Sequence, residues 1–421
     1  MKGALFVLTF AFLIFNFAFP IPATTTTSAC RLAVFDDVWE TVHDRYYDPT
    51  FHGIDWEGAR KQFRPMATEA RNAAELYAVL RRMLGTLSDP HTRVFAPEER
   101  FDWRHPRFIS VGINVREIGN APVVVAVERG SKAERAGLRV GDVVTSIDGE
   151  AALAVFSRRL NQAGSSTSAF ARLQAMAKLF EGERGSTLNI SWIGTDSREH
   201  QAALKREMSE RDTALHVERV RDGVGVVEFN VFAQSIAVDF NDALDGKLRG
   251  ARGLVIDLRQ NGGGDAEAMA EIASVFLPAG KSLGRFTDRS GRTQFEPYTR
   301  TAMLFAPDSI KSFRGGVVIL TSERTSSAAE IFIAAMKESR RAIVIGQTTC
   351  GCVLAISRRH TLPDGGELDV SEMDYQTADG LRLEGVGVTP DEKITLNLQD
   401  LRARRDRAME QAVEYLMKLD R

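Results

Sequence analysis

Two short runs in this 421-residue chain combine residue types that could make and break bonds. Thr325-Ser326-Ser327-Ala328-Ala329-Glu330 follows an apolar strand-like stretch at 315–320 and opens a helical pattern over 326–339. A hydroxyl at such a junction meets the positive end of the helix dipole. Alone it would equally well be a helix cap. Arg259-Gln260-Asn261-Gly262-Gly263-Gly264 occupies a similar junction, between a buried strand at 253–258 and a helix at 265–276. Glycines there let backbone amides face outward without a side chain in the way. The spacing matches neither a Walker loop nor G-x-G-x-x-G. Amides aimed at a developing oxyanion are the alternative to a phosphate loop, and a nearby serine favours them.

The elements that must hold these runs follow from periodicity. After Arg206 the chain alternates strands (224–229, 253–258, 315–320, 342–346) with helices (236–248, 265–276, 326–339), the rhythm of an α/β sheet. Turn signals at Pro363-Asp364-Gly365-Gly366 and Asp379-Gly380 predict hairpins beyond it. Residues 31–99 carry apolar residues at helix spacing, such as Val34, Val38 and Val42, up to the stop at Pro90. A linker containing Trp103, His105 and Pro106 follows. From Phe108 short strands take over, with a helix expected at 169–180. Among them Ala136-Gly137-Leu138-Arg139-Val140-Gly141-Asp142-Val143-Val144, with Ile147-Asp148-Gly149 behind it, closely resembles the signature of a PDZ domain. Such domains add an extended peptide to a sheet edge and catch its C-terminal carboxylate on backbone amides. By position the carboxylate loop is Val111-Gly112-Ile113. A domain that only acts as a spacer is the plainer reading, since a fold does not fix a ligand.

Composition bounds the rest. Hydrophobic residues make up 44% and charged residues 26%, which excludes a disordered, collagenous or multi-pass membrane chain. Lys+Arg 54 against Asp+Glu 56 gives a net charge of −2, so no basic field points to nucleic acid. Three cysteines cannot make a disulfide framework. Residues 1–29 have the layout of a secretory signal: Lys2, an apolar run from Ala4 to Phe19, then Pro20, Pro22, Ala23 and a polar stretch. A membrane is reached only through a lipid on Cys30 or through this segment left uncleaved as an anchor. Arg402 to Arg407 reads as one solvated helix face. His43, His52, His105, His200, His216 and His360 share no ligand spacing, and no metal or cofactor is expected.

Taken with Leu87-Ser88-Asp89-Pro90-His91-Thr92 and Leu383-Glu384-Gly385-Val386-Gly387-Val388-Thr389-Pro390-Asp391, these runs make the chain resemble the carboxyl-terminal processing, or tail-specific, serine proteases. The resemblance covers about 35–396 and implies a multidomain α/β protein. Its parts would be a signal peptide (1–29), a helical N-terminal domain (31–105), a PDZ-like domain (108–205), a ClpP/crotonase-like protease core (206–400) and a C-terminal helix (401–421). It implies Ser327 as nucleophile and the amides of Ala328 and Gly263 as oxyanion donors. The family's usual base is a lysine; here Cys352 stands in that position, in Thr349-Cys350-Gly351-Cys352. A thiol with a pKa of ~8.5 is a poor base at neutral pH. The tricorn-like branch uses a histidine and a glutamate from the early and late blocks, which correspond to His91 and Glu384. A Ser–His–Glu set is chemically sufficient. Three readings follow: His91 as base, Cys350 and Cys352 as a redox or metal element, and an inactive peptide-binding scaffold. A bond between the two cysteines would close a very small ring, and zinc would need two more ligands. The expected activity is an exported, periplasmic serine endopeptidase that cuts protein or peptide substrates with free C-terminal tails.

Overall fold

The computed structural model describes residues 28–99, 107–161, 168–210, 212–220, 223–300 and 312–419. The secretory segment up to residue 27 and the linker residues Trp103, His105 and Pro106 lie outside the described residues.

The site is carried by a six-stranded sheet with spatial order His216–Arg219, Val224–Glu228, Gly253–Asp257, Gly316–Thr321, Ile343–Gly346, Glu392–Lys393. All neighbours run parallel except the first pair. Because side chains alternate along a strand, each strand feeds two cores. Leu254, Ile256, Val317 and Ile319 face the helices Gln234–Asp245, Ala266–Ser274 and Ala328–Glu338. Val255, Val318 and Leu320 face the C-terminal helix Arg407–Leu419 through Ala408, Ala412 and Leu416. Being covered on both faces explains why these strands read as unbroken apolar runs. The strands and helices expected from the alternation are present, with ends shifted by one to three residues.

A second sheet, with spatial order Ile113–Ile118, Ala121–Val127, Val143–Ile147, Thr187–Ile193, Glu199–Lys205, surrounds its own core of Val115, Val144, Phe156 and Trp192. Its strand Ile113–Ile118 is an unpaired edge, and the helix Ser168–Ala177 packs near it. The chain enters and leaves this unit through the paired strands Arg107–Ser110 and Glu207–Glu210.

Three features depart from the pattern. Within the stretch read as helical, Ser28–Arg45, Trp56–Glu69 and Ala73–Gly85 are helices, but Arg93–Phe95 is a strand against Glu367–Asp369. The helices therefore share one core with Leu354, Leu362, Leu368 and Val370 of the C-terminal half. A three-stranded sheet joins Thr293–Phe295 and Arg285–Asp288 to Met373–Gln376, a strand from the region expected to form hairpins. Arg402 to Arg407 is not one helix face: it bridges the helices Leu398–Arg402 and Arg407–Leu419, with Arg404 at φ +53°. Asp406 in that break is drawn to Arg259, which reverses the chain onto the sheet.

Candidate active site

Ser327 caps the helix Ala328–Glu338 with φ +58° and ψ −127°, a region that L-residues rarely enter. Holding it there costs of order 1–3 kcal/mol, and the surroundings supply the restraint. Its N–H donates to the carbonyl of Cys352 (2.9 Å) and to Glu330 Oε2 (3.1 Å). Two hydroxyls before it are stitching. Ser322 Oγ donates to the Arg259 carbonyl (2.6 Å), and Thr325 Oγ1 donates to the Leu258 carbonyl (2.8 Å). Both bind this loop to the neighbouring strand and the start of the glycine run, and Ser327 stands at the sharp turn itself.

The glycine run lies directly against that turn. A Cβ on Gly263 (φ +93°) would sit 2.6 Å from Ser327 Cβ and 3.1 Å from the Ala328 nitrogen, so only glycine fits. The first amides of a helix have no intrahelical acceptor, which leaves the Ala328 N–H available at this spot. The Gly263 N–H instead donates to its neighbour Asn261 Oδ1 (2.8 Å). Asn261 is fully buried and donates to the Phe229 carbonyl, while its own carbonyl accepts from Ser326. Of the two expected oxyanion donors, one is open and one is engaged inside the loop.

Glu330, three residues after Ser327, is the hub that sequence reading passed over. Its carboxylate has no exposure and accepts four hydrogen bonds: from Ser327 N–H, Gly351 N–H (2.7 Å), Cys352 N–H (3.0 Å) and Thr349 Oγ1 (2.5 Å). Burial pushes its pKa up to about 7, and these donors restrain the rise. One signal was present: a glutamate three residues after an N-cap serine forms a capping pair.

The position of the family lysine is the largest departure. Gly351 at φ +69° turns the chain so that Cys350 and Cys352 come within 5.2 Å, Cα to Cα, and the two are joined as a disulfide. The bond closes the very small ring expected for two cysteines one residue apart. A sulfur held in that bond has no thiolate with which to accept a proton, which counts against Cys352 as the base. Lys337, the amine nearest in sequence, is held by the Thr389 carbonyl and Asp391. Among the described residues no cluster of His, Cys, Asp and Glu is arranged to hold a metal ion.

His91 sits in the turn just before the strand Arg93–Phe95. Asp89 accepts from the His91 backbone N–H (2.8 Å) and from Thr92 Oγ1 (2.5 Å), and Thr92 Oγ1 accepts from Ser371 N–H (3.0 Å). Burial works to raise the Asp89 pKa, yet the neighbouring His91 and the Thr92 hydroxyl outweigh it and hold the acid below its usual value. The His91 ring is mostly buried; its Nδ1 stands 3.8 Å from Asp89 and has no hydrogen-bond partner among the described residues. Glu384 Oε2 accepts from the amides of Val353 (2.7 Å) and Leu354 (3.2 Å), immediately after Cys352. Tyr46, fully buried, has its phenol pKa raised first by burial and then by the charges of Asp89 and Glu384, which flank it. No hydrogen bond joins Ser327 to His91 among the described residues.

Across the sheet, a cleft of about 940 Å³ separates the second unit from the core, lined by Val111, Ile113, Arg116, Leu173, Asp257 and Arg259 among others. Arg116, on the edge strand, is buried and paired with Glu323, four residues before Ser327. Val111 and Ile113 are buried, and the Gly112 N–H donates to Ser110 Oγ (2.9 Å).

Residues 223–394 match the model of peptidase family S41, residues 29–85 that of the tricorn protease C1 domain, and residues 123–163 that of a PDZ domain. Residues 223–394 thus form a peptidase family S41 core. The chain is a serine-type peptidase with a PDZ domain. This S41 peptidase is 28% identical over 403 residues to carboxyl-terminal-processing peptidase 3, chloroplastic, of Arabidopsis thaliana, covering 91% of this chain and 72% of the relative. It is 27% identical over 368 residues to the carboxyl-terminal-processing protease of Synechocystis sp., covering 85% and 79%. The fold superposes on the photosystem II D1 C-terminal processing protease (TM-score 0.57, 24% identity, covering 92% and 97%). It also superposes on mature CPAF (TM-score 0.66, 15% identity, covering 93% and 96%).

Proposed function

We propose that this S41 peptidase is an exported endopeptidase that captures the free C-terminal tail of a protein substrate on its PDZ domain and cuts the chain at Ser327. The observation that carries the reading is the Ser327 turn: a strained strand-to-helix junction with the Ala328 amide beside it. Attack of Ser327 Oγ on a peptide carbonyl would place the oxyanion against that amide. The Gly263 N–H would join it by exchanging Asn261 Oδ1 for the oxyanion.

His91 is the base in this reading, because the bonded Cys352 offers no proton acceptor and Lys337 is tied elsewhere. His91 takes the Ser327 proton and returns it to the leaving amine, and Glu384 and Asp89 orient the imidazole and stabilise its charged form. The unpartnered Nδ1 and the absent Ser327–His91 bond suit a set that tightens only around a substrate. The tail would add to the open edge Ile113–Ile118, its carboxylate at the Val111-Gly112-Ile113 loop. Processing of protein C-termini is what the relatives' names describe. Export rests on the apolar leader; cleavage near Ala23 leaves the first helix, Ser28–Arg45, intact, whereas cleavage near Ala29 falls in its first turn.

The test is covalent labelling by a peptidyl phosphonate, located by peptide mass spectrometry. Modification at Ser327, together with cleavage of a denatured protein substrate, is the expected result. A chain that binds tailed peptides but neither labels nor cleaves would be a peptide-binding scaffold instead.

A further inference from the structure

The residues from Cys350 to Cys352 are bonded to the Ser327 turn and to Glu330 at several points. The Cys350 N–H donates to the Thr325 carbonyl (2.9 Å), and the Gly351 and Cys352 N–H groups donate to Glu330. The Cys352 carbonyl accepts the strained Ser327 N–H, and the Gly351 carbonyl accepts from Gly385, next to Glu384. On its other side Gly351 is pressed against 385–387, where a Cβ would lie 2.8 Å from the Val386 nitrogen. Both cysteines are buried, at 0% and 1% exposure. The loop thus ties the nucleophile, its buried glutamate and the Glu384 segment together, and the bond between Cys350 and Cys352 is its one covalent restraint.

We propose that the Cys350–Cys352 disulfide is a positioning element of the active site, closed in the working enzyme, and that an external dithiol which opens it slows peptide hydrolysis. The inference rests on Ser327 being the nucleophile. The exchange balances with the dithiol as reductant. One of its thiolates attacks a cysteine sulfur, the protein S–S bond breaks, and the other cysteine leaves with the electron pair and takes a proton. The second thiolate of the reductant then attacks the mixed disulfide and releases the remaining cysteine, which is also protonated. Two electrons and two protons reach the protein, and the reductant leaves as a disulfide. Cys30, the chain's remaining cysteine, cannot supply this reduction by itself.

Opening the bond has a mechanical consequence. Two unbonded sulfur atoms repel inside the contact distance of about 3.5 Å, and the site has no free surface to receive them. The loop must spread, and the Cys352 carbonyl that fixes the Ser327 N–H moves with it. Displacements near 1 Å at a reacting group cost up to about a hundredfold in rate.

The experiment follows cleavage of a denatured protein substrate by the full chain during incubation with dithiothreitol and after removal of the reductant and reoxidation. Alkylation and peptide mass spectrometry count the free thiols at Cys350 and Cys352. The expected result is a kcat that falls between about tenfold and about a hundredfold as the dithiol fraction rises, with KM within about twofold, and that recovers on reoxidation. The Cys350→Ser/Cys352→Ser double variant should be slow from the start and indifferent to dithiothreitol. Full alkylation of both cysteines at an unchanged rate would overturn the proposal. So would free thiols in the untreated active enzyme, or a bond that dithiothreitol leaves intact in the folded chain. Phosphonate labelling of Ser327 in the same samples separates this from the peptidase reading. An untreated enzyme that cleaves and labels but ignores reduction overturns only the disulfide's role; one that never labels overturns both.

Discussion

The Ser327 turn and the His91 pocket are built to different standards. Around Ser327 most buried polar groups are matched: Glu330 accepts four donors, Asn261 bonds through its side chain and carbonyl, and Ser322 and Thr325 reach the neighbouring strand, with Glu323 Oε2 and Asn230 Oδ1 as exceptions. Around His91 the matching is poorer, and Tyr46 Oη, His91 Nδ1 and Ser371 Oγ are all buried without partners among the described residues. An unmade hydrogen bond to a buried group costs about 1–3 kcal/mol, so such sites are kept only where something else completes them. In the proposed mechanism the nucleophile is thereby fixed by the fold in advance, and the base side is left for the substrate to finish. That division predicts which changes act on the fold and which act on chemistry alone.

The sharpest test removes one member from each side. Ser327→Ala and His91→Ala should each lower kcat/KM on a denatured protein about 10⁴-fold or more, to a shared floor, because members of a catalytic unit are not additive. Both variants should keep the wild-type melting temperature within about 2 °C. A His91→Ala enzyme with more than a tenth of the wild-type rate would show that the unmatched pocket holds no base.

Glu330→Gln should break the comparison from the other direction. An amide presents two donors where the site offers only donors, so the variant should lose about 3 kcal/mol in stability. It should also lose about a hundredfold in kcat as the Ser327 turn relaxes. Denaturant unfolding and steady-state kinetics on the same preparation read both. Loss of rate with unchanged stability would mean that Glu330 is not what holds the turn.

The same carboxyl gives a pH signature. In the fold it titrates near about 7, against 4.5 for the free side chain, because burial disfavours its charge. Between those values the folded protein keeps a proton that the unfolded chain has released. Its contribution is therefore complete below about pH 4.5 and is lost as pH rises to about 7, a change of order 1–3 kcal/mol. Comparing wild type with Glu330→Gln by urea unfolding from pH 4.5 to pH 8 should show this slope in the former and not in the latter. A difference of the opposite sign would refute the assignment.

The smallest effect concerns the PDZ edge. A protein substrate whose C-terminal carboxylate is amidated should be cut about three- to tenfold more slowly at low concentration, while a short internal peptide shows no difference. Equal rates for both tails would leave Val111, Gly112 and Ile113 without a role in capture.

Much of this was legible along the chain. Buried parallel strands announce themselves as apolar runs, so 253–258 and 315–320 could be located, and with them the two junctions where glycines and a serine converge. The nearby Asn261 and Glu330 were visible only as members of motifs, since a buried charge is indistinguishable from a solvated one until its donors are placed. The strand Arg93–Phe95 was hidden because its partner Glu367–Asp369 is more than 270 residues away.

What the sequence determined by itself is local: which segments alternate, where glycine must stand, and that a hydroxyl sits at a strand-to-helix turn. Periodicity and backbone sterics act over a few residues, so a few residues suffice to read them. Tertiary structure alone decided that Cys350 bonds Cys352, that Glu330 gathers donors from two loops, and that the charges of Asp89 and Glu384 act on one buried tyrosine. Those are matters of burial, which turns a polar side chain into an obligation to find a partner, and burial is a property of the whole packed chain.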